Sequence, residues 1–233
     1  MTSHVSPYLI GIAGGSCSGK TWLAGQLGQV FGEQTAFLSL DEFYRDRSQL
    51  SPSRRESLNF DHPRAIDWPL FQRTLQDCAA AKSVGVPRYD FTTHCRLPGT
   101  RYLEPHPLLL VEGLWVLLRP EVRRFFTLSI FIDCCEKTRL QRRLKRDTAE
   151  RGRTRASIQQ QFRETVAPMH NEFVAPQARW ADLVLSEPIS HIEVEAIAEK
   201  IWCLLTARSG PAPCWAAASQ RVDWRNQLLE FHT

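Results

Sequence analysis

Apolar residues along the chain follow two alternating rhythms. Continuous apolar runs of strand length occur at 8–13, 36–40, 108–111, 128–132 and 183–185, and segments with helical spacing occupy 20–31, 68–81, 136–150, 158–172 and 191–205. Strand-length runs that alternate with helical segments predict βαβ units and therefore an α/β fold built on a parallel sheet. The central runs show no polar alternation, as expected of strands covered on both faces. The stretch 85–102 breaks this rhythm. It is rich in Pro, Tyr, Thr and Arg, carries short β-prone pieces, and reads as a hairpin inserted beside the sheet. After Arg208, the run Ser209, Gly210, Pro211, Ala212, Pro213 ends any helix. One domain over 1–208 and a short C-terminal tail over 209–233 are expected.

Composition narrows the class. With 43% apolar and 23% charged residues among 233, the chain has ordinary globular usage and enough length for one well-buried core. The formal charge of +4 is concentrated between Arg139 and Arg155, a stretch expected to meet an anion. Seven cysteines show neither CxxC spacing nor a zinc pattern, which fits a reducing cytoplasm. The first apolar run is too short for a signal segment or a membrane span, so no membrane association is expected.

Gly14, Gly15, Ser16, Cys17, Ser18, Gly19, Lys20 and Thr21 form the pattern GxxxxGK[ST] between a predicted strand and a predicted helix. Glycines allow the tight turn that aims backbone N–H groups and the helix N-terminus at phosphate oxygens. Lys20 adds a mobile positive charge, and the Thr21 hydroxyl suits Mg²⁺. By itself this motif indicates nucleotide binding without separating kinases from GTPases or ATP-driven machines.

In an open parallel sheet, ligands gather beyond the carboxyl ends of the strands. Two carboxylates stand there: Asp41 after the run 36–40 and Glu112 after 108–111. Phosphoryl transfer to a hydroxyl needs a carboxylate to orient the acceptor and take its proton, and hard oxygens to hold Mg²⁺. Asp41 suits the first task and Glu112 the second. Taken alone, each reads better as a helix cap or a surface acid; joined to the P-loop motif, the phosphoryl-transfer reading is the better one.

The segments GIAGGSCSGKT, SLDEFYRD, NFDHPRAIDW, YDFTTHCR, LLLVEGLWVL, TRLQRRLKRDTAERGR, VAPMHNEFVAP and WADLVL together resemble the uridine–cytidine kinases of the phosphoribulokinase and uridine kinase family, over residues 8 to 185. The resemblance implies a P-loop NTPase fold: a five-stranded parallel sheet flanked by helices, an inserted β-hairpin for the nucleoside, and a helical lid. It further implies transfer from ATP, or GTP in its place, with Mg²⁺, to the 5′-hydroxyl of uridine or cytidine. Lys20 and Asp41 would be catalytic, with Asp41 the general base and, beside Thr21 and Glu112, near the metal. Asp61 would bind ribose hydroxyls, Tyr89 and His94 the pyrimidine edge, and Phe60 and Phe91 the base. Arg139 would reach the ribose, while Arg151 and Arg153, with Arg143 nearby, would lie on a lid over the triphosphate. Planar, permanently charged guanidinium groups suit that task. A small-molecule substrate, no nucleic-acid partner and a homo-oligomer, first of all a tetramer, complete the implied picture.

Three features depart from the family pattern. Cys17 stands where glycine is expected, Ser186, Glu187 and Pro188 replace a glycine-bearing turn at the edge of the adenine pocket, and Gln159, Gln160 and Gln161 are offset from an expected lid glutamine. The alternatives that remain are a kinase for another small hydroxyl substrate such as nicotinamide riboside, pantothenate or ribulose 5-phosphate, a nucleotide-binding regulator without turnover, and a nucleic-acid binder using the basic helix.

Overall fold

The five strand-length apolar runs pair, in the computed structural model, into one parallel sheet. The structure describes residues 6–56 and 58–207. Its elements are β1 (Tyr8–Gly14), α1 (Lys20–Phe31), β2 (Thr35–Ser39), α2 (Pro52–Glu56), α3 (Trp68–Ala79), β3 (Val84–Asp90), β4 (Cys95–Leu103) and β5 (Leu108–Gly113). They continue through α4 (Pro120–Arg123), β6 (Leu128–Asp133), α5 (Glu136–Arg151), α6 (Arg155–Gln161), α7 (Ala167–Met169), β7 (Leu183–Ser186) and α8 (His191–Ala207). Strand order in the sheet is β2-β5-β1-β6-β7. The β1 strand lies at the centre, with Ile10 opposite Leu110 on one side and Leu128 on the other.

The absence of polar alternation in these strands has its cause in two cores, one on each face. Leu9 and Ala13 of β1 point into a core with Trp68, Phe71 and Trp115. Ile10 and Ile12 point the other way, against Leu23 and Leu27 of α1 and Val194 and Ile197 of α8. Each such side chain contributes roughly 1.5–3 kcal/mol when fully buried. The interior of the sheet is thereby fixed, and its carboxyl edge becomes a rigid platform.

The expected hairpin forms a separate two-stranded antiparallel sheet, β3 with β4, whose register shifts between Pro87 and Arg88. Val84, Val86 and Leu103 anchor it in the first core. The free end of the hairpin carries Tyr89, Phe91 and His94.

Two expectations need correction. Residues 158–172 are not one regular helix: α6 passes into a π-helical turn (Phe162–Val166), α7, a second π turn (His170–Val174) and a 3-10 segment (Ala175–Trp180). Pro168 is the physical reason. It lacks an N–H and its ring crowds the preceding turn of a regular helix, which a wider turn relieves. Secondly, β2 stops at Ser39, and Asp41 lies in a 3-10 turn (Leu40–Phe43) rather than at the strand end, its N–H donating to Ser39 Oγ at 3.3 Å. The proposed tail, 209–233, lies outside the described residues. Among the described residues no helix is long and apolar enough to cross a membrane, and the cysteines are free.

The approach of β5 to the Asp41 turn is close. A Cβ added at Gly113 would lie 2.4 Å from Leu40 Cβ, an atom that cannot move without its backbone. Gly113→Ala is expected to lower unfolding free energy by about 1–3 kcal/mol, the usual range for overpacking a core, as read by urea denaturation.

Candidate active site

The loop from Gly14 to Gly19 joins β1 directly to α1, so the amino end of α1 opens on the carboxyl edge of the sheet. No acidic residue stands in the first turn of that helix, which leaves its partial positive charge uncompensated. Gly19 has φ 101° and Cys17 has φ 63°. Cys17 therefore adopts the left-handed conformation that glycine takes more readily, which accounts for glycine being the expected residue there. Lys20 is 8% exposed and its Nζ donates to the Gly15 carbonyl at 2.8 Å. Ser18 Oγ is enclosed without a partner.

This loop borders a cavity of about 590 Å³ lined by Ser16, Lys20, Thr21, Asp41 and Glu112, with Arg146 on the far wall. Glu112 accepts from Ser39 Oγ at 2.7 Å, whereas Asp41 Oδ1 is enclosed with no hydrogen-bond donor. Burial raises the pKa of both carboxyls, opposed in each case by the charge of Lys20. Two buried carboxylates beside a threonine hydroxyl, one of them unsatisfied, have the hard-oxygen chemistry that suits Mg²⁺. Among the described residues no group of three or more His, Cys, Asp or Glu could hold a metal. A cation here would depend on phosphate oxygens and water for its remaining ligands, which is how Mg²⁺ is ordinarily held.

Asp41 also borders a second cavity, of about 410 Å³, between β2 and the hairpin, with Tyr89, Phe91, Arg101 and Arg151 in its walls. Close by, Tyr44 packs on Tyr89 at 5.0 Å between ring centroids, and Tyr89 on Phe91 at 5.2 Å. Tyr89 Oη has no partner, and burial pushes the pKa of this phenol upward. His94 stacks on Phe60 with centroids 4.1 Å apart and planes 10° from parallel. Its backbone is left-handed at φ 56°, and its Nδ1 is enclosed without a partner. Burial, then the charges of Arg151, Arg153 and Arg55, lower the His94 pKa, which keeps the imidazole neutral at physiological pH. Asp61 accepts from Thr165 Oγ1 at 2.8 Å.

The basic stretch is largely helical, and three of its arginines line the two cavities. Arg142 and Arg146 line the P-loop cavity. Arg143 donates to Ser16 Oγ at 3.0 Å and to Gln161 at 3.1 Å. Arg139 packs against Gly15, its Nε on the Cys134 carbonyl at 3.0 Å and its Nη1 enclosed without a partner. Arg151 lies over the Phe91 ring at 5.2 Å, on the hairpin side. Arg153 donates to Gln161 and, at 2.9 Å, to Ser157 Oγ, so it is not in the wall of the P-loop cavity.

Sequence reasoning assigned no individual role to Arg142, Arg146 and Asp147, which lie within the segment TRLQRRLKRDTAERGR, or to Gln161. Asp147 is fully buried and is the shared partner of Arg146 at 2.8 Å, Arg143 at 3.4 Å and Arg151 at 3.6 Å. The available signal was spacing: Asp147 stands four residues from both Arg143 and Arg151, hence on one helical face with them. The altered turn after β7 is also at the site. Glu187 pairs with Arg142 at 2.9 Å, and it lines the P-loop cavity with Pro188 and Ile189. His170 borders Gly15 as well, and burial with the charges of Arg139 and Lys20 pushes its pKa down to about 4.

Residues 9–191 match the model of the phosphoribulokinase / uridine kinase family. The chain belongs to that family. A uridine kinase of Chloroflexus aurantiacus is 43% identical over 179 residues, covering 76% of this chain and 86% of the relative. One from Deinococcus deserti is 41% identical over 186 residues, 79% of this chain and 90% of the relative. Among solved structures, the phosphoribulokinase of Rhodobacter spheroides superposes with a TM-score of 0.56 at 17% identity, over 78% of this chain and 70% of that one. The D-glycerate 3-kinase of Cryptococcus neoformans does so with 0.55 at 18%, over 73% and 80%. At such identities the structural likeness speaks for the P-loop kinase fold alone. Membership of the family rests on the sequence.

The raised pKa of Asp41 carries a sign for stability. A carboxyl whose pKa is raised by folding favours the protonated form. Its contribution is present below the unfolded-state value and is lost as pH rises through the folded-state value. At neutral pH, without nucleotide or divalent cation, ionised Asp41 therefore costs stability. Asp41→Asn is expected to be more stable than the wild type at pH 7 in urea denaturation, with the difference shrinking towards pH 4. An equal or less stable variant at pH 7 contradicts the assignment.

Proposed function

We propose that the chain transfers the γ-phosphoryl group of ATP to the 5′-hydroxyl of uridine or cytidine. The observation that carries the reading is the position of Asp41, which borders both the P-loop cavity and the cavity against the hairpin. A base must reach acceptor and donor at once. The curated relatives named uridine kinase support the choice of acceptor.

In this reading the acceptor lies on the hairpin side, its ribose diol towards Asp61 and its pyrimidine edge towards Tyr89 and His94. Neutral histidine can donate or accept a hydrogen bond, so it can serve the carbonyl of uridine and the amino group of cytidine alike. The 5′-oxygen attacks the γ-phosphorus in line, the bond to the β–γ bridging oxygen breaks, and the hydroxyl proton passes to Asp41. A carboxylate whose pKa is raised by burial is a better base than an exposed one. The loop N–H groups, Lys20 and the arginines of α5 hold the triphosphate and meet the charge that develops on it. Thr21, Glu112 and Asp41 would hold Mg²⁺, which neutralises phosphate charge when bound. ATP is the expected donor, GTP the one to test against it, and a reducing cytoplasm the expected compartment.

An ADP-release assay with Mg²⁺ against uridine, cytidine, nicotinamide riboside, pantothenate and ribulose 5-phosphate tests the reading. Turnover confined to the two pyrimidine nucleosides is expected, and turnover on another acceptor instead overturns the roles given to Asp61, Tyr89 and His94. Asp41→Asn is expected to lower kcat by roughly 10²–10⁴-fold with ATP affinity retained. For His94→Ala, nucleoside KM should rise much more than ATP KM; an equal rise in both removes His94 from the base.

A further inference from the structure

Asp61 has a partner that its role toward an acceptor does not require. Thr165, on the π turn that follows α6, donates from Oγ1 to Asp61 Oδ2 at 2.8 Å, across 104 residues of sequence. The same Oγ1 lies 3.0 Å from the backbone carbonyl of Gln161. A threonine hydroxyl has one proton to give, so only one of these acceptors is served at a time. A carboxylate oxygen is a stronger acceptor than a peptide carbonyl, so the proton belongs to Asp61.

Gln161, the other acceptor, also meets the arginines. Its side-chain oxygen receives Arg143 at 3.1 Å and Arg153 as well. Arg143 in turn donates to Ser16 Oγ, within the phosphate loop, at 3.0 Å. A path thus runs from Asp61 by a hydrogen bond to Thr165, along one turn of the chain to Gln161, and by hydrogen bonds through Arg143 to Ser16. It begins beside the hairpin and ends in the P-loop. Thr165 lies in a π-helical turn, a form that concentrates at functional sites.

We propose that Thr165 is a positioning residue that fixes the Asp61 carboxylate, and that the Gln161–Thr165 turn links acceptor occupancy to the arginine that reaches the P-loop. The inference rests on Asp61 being the acceptor carboxylate. A carboxylate accepts several hydrogen bonds at once, so the hydroxyls of a bound nucleoside donate to Asp61 beside the bond that Thr165 keeps. With the acceptor bound, the segment from Gln161 to Thr165 is held at one end through Asp61 and at the other through Arg143, which donates to the Gln161 side chain, so the triphosphate meets a better-ordered arginine. Such a link is reciprocal: whatever nucleoside does to nucleotide affinity, nucleotide does to nucleoside affinity.

The test uses the full chain and three measurements: uridine KM, MgATP KM, and the Kd of a non-hydrolysable ATP analogue with and without uridine. Thr165→Val keeps the branched shape and removes the proton. It is expected to raise uridine KM by about tenfold, as the loss of a hydrogen bond to a charged group does, and to leave the analogue Kd without uridine within about twofold. The wild type is expected to bind the analogue more tightly with uridine present, this tightening should disappear in the variant, and Thr165→Ser should restore both properties. Should Thr165→Val fail to fold, Thr165→Ala reads the same constants. Unchanged uridine KM in the variant, or equal rises in both KM values, overturns the inference while leaving the proposed reaction intact. A wild-type protein that turns over neither uridine nor cytidine overturns the reaction and this inference with it.

Discussion

Polar groups enclosed at the carboxyl edge of the sheet do not satisfy one another, and the rest of the molecule is arranged around that fact. Asp41 Oδ1, Ser18 Oγ, Arg139 Nη1 and His170 Nδ1 are all shut away from water without a hydrogen-bond partner. Leaving a polar atom in that state costs about 1–3 kcal/mol, and more for a charged group. A fold relieves such a cost by local collapse unless the backbone carrying these groups is held elsewhere. Here it is held by the two cores, which bury β1 on both faces and leave the loop after it little freedom. The unsatisfied atoms are what a phosphate, a cation and a sugar hydroxyl would complete.

Electrostatics along α5 follow the same economy. Arg143, Arg146 and Arg151 share one buried carboxylate, Asp147. One negative charge orients three positive ones without neutralising them. The excess borders both cavities, through Arg146 on one and Arg151 on the other, and pre-organised charge of this kind costs little to use when an anion arrives. The pairing of Arg142 with Glu187 is different in kind, since it withdraws one cation from the same wall. Neutral imidazoles complete the pattern: His94 and His170 both have lowered pKa values, because burial and neighbouring cations oppose a further positive charge.

The chain made much of this legible in advance. Strand-length apolar runs alternating with helical segments indicated a parallel sheet whose central strands are covered on both faces, and the resemblance to the family supplied the number of strands. Gly19, Lys20 and Thr21 followed from a turn whose backbone demands those residues, and Asp41 and Glu112 from their place after apolar runs. The break in the helical region 158–172 was less visible. Its cause, Pro168, was in plain sight, but a proline can end a helix, kink it or widen it, and packing chooses among these.

By itself, then, the sequence determined the elements that depend on neighbours within a few residues: strand, helix, phosphate loop and the identity of the acids beside it. Only the tertiary structure decided which charges meet. Asp61 and Thr165 stand 104 residues apart, and Arg143 and Ser16 stand 127 apart. Their pairing depends on how the sheet, the hairpin and the irregular helix pack together. Asp147 is intermediate: helical spacing placed it beside Arg143 and Arg151, yet its complete burial comes from the packing around α5. Local propensity is written in adjacent residues, whereas the partner of a buried charge is fixed by the whole chain at once.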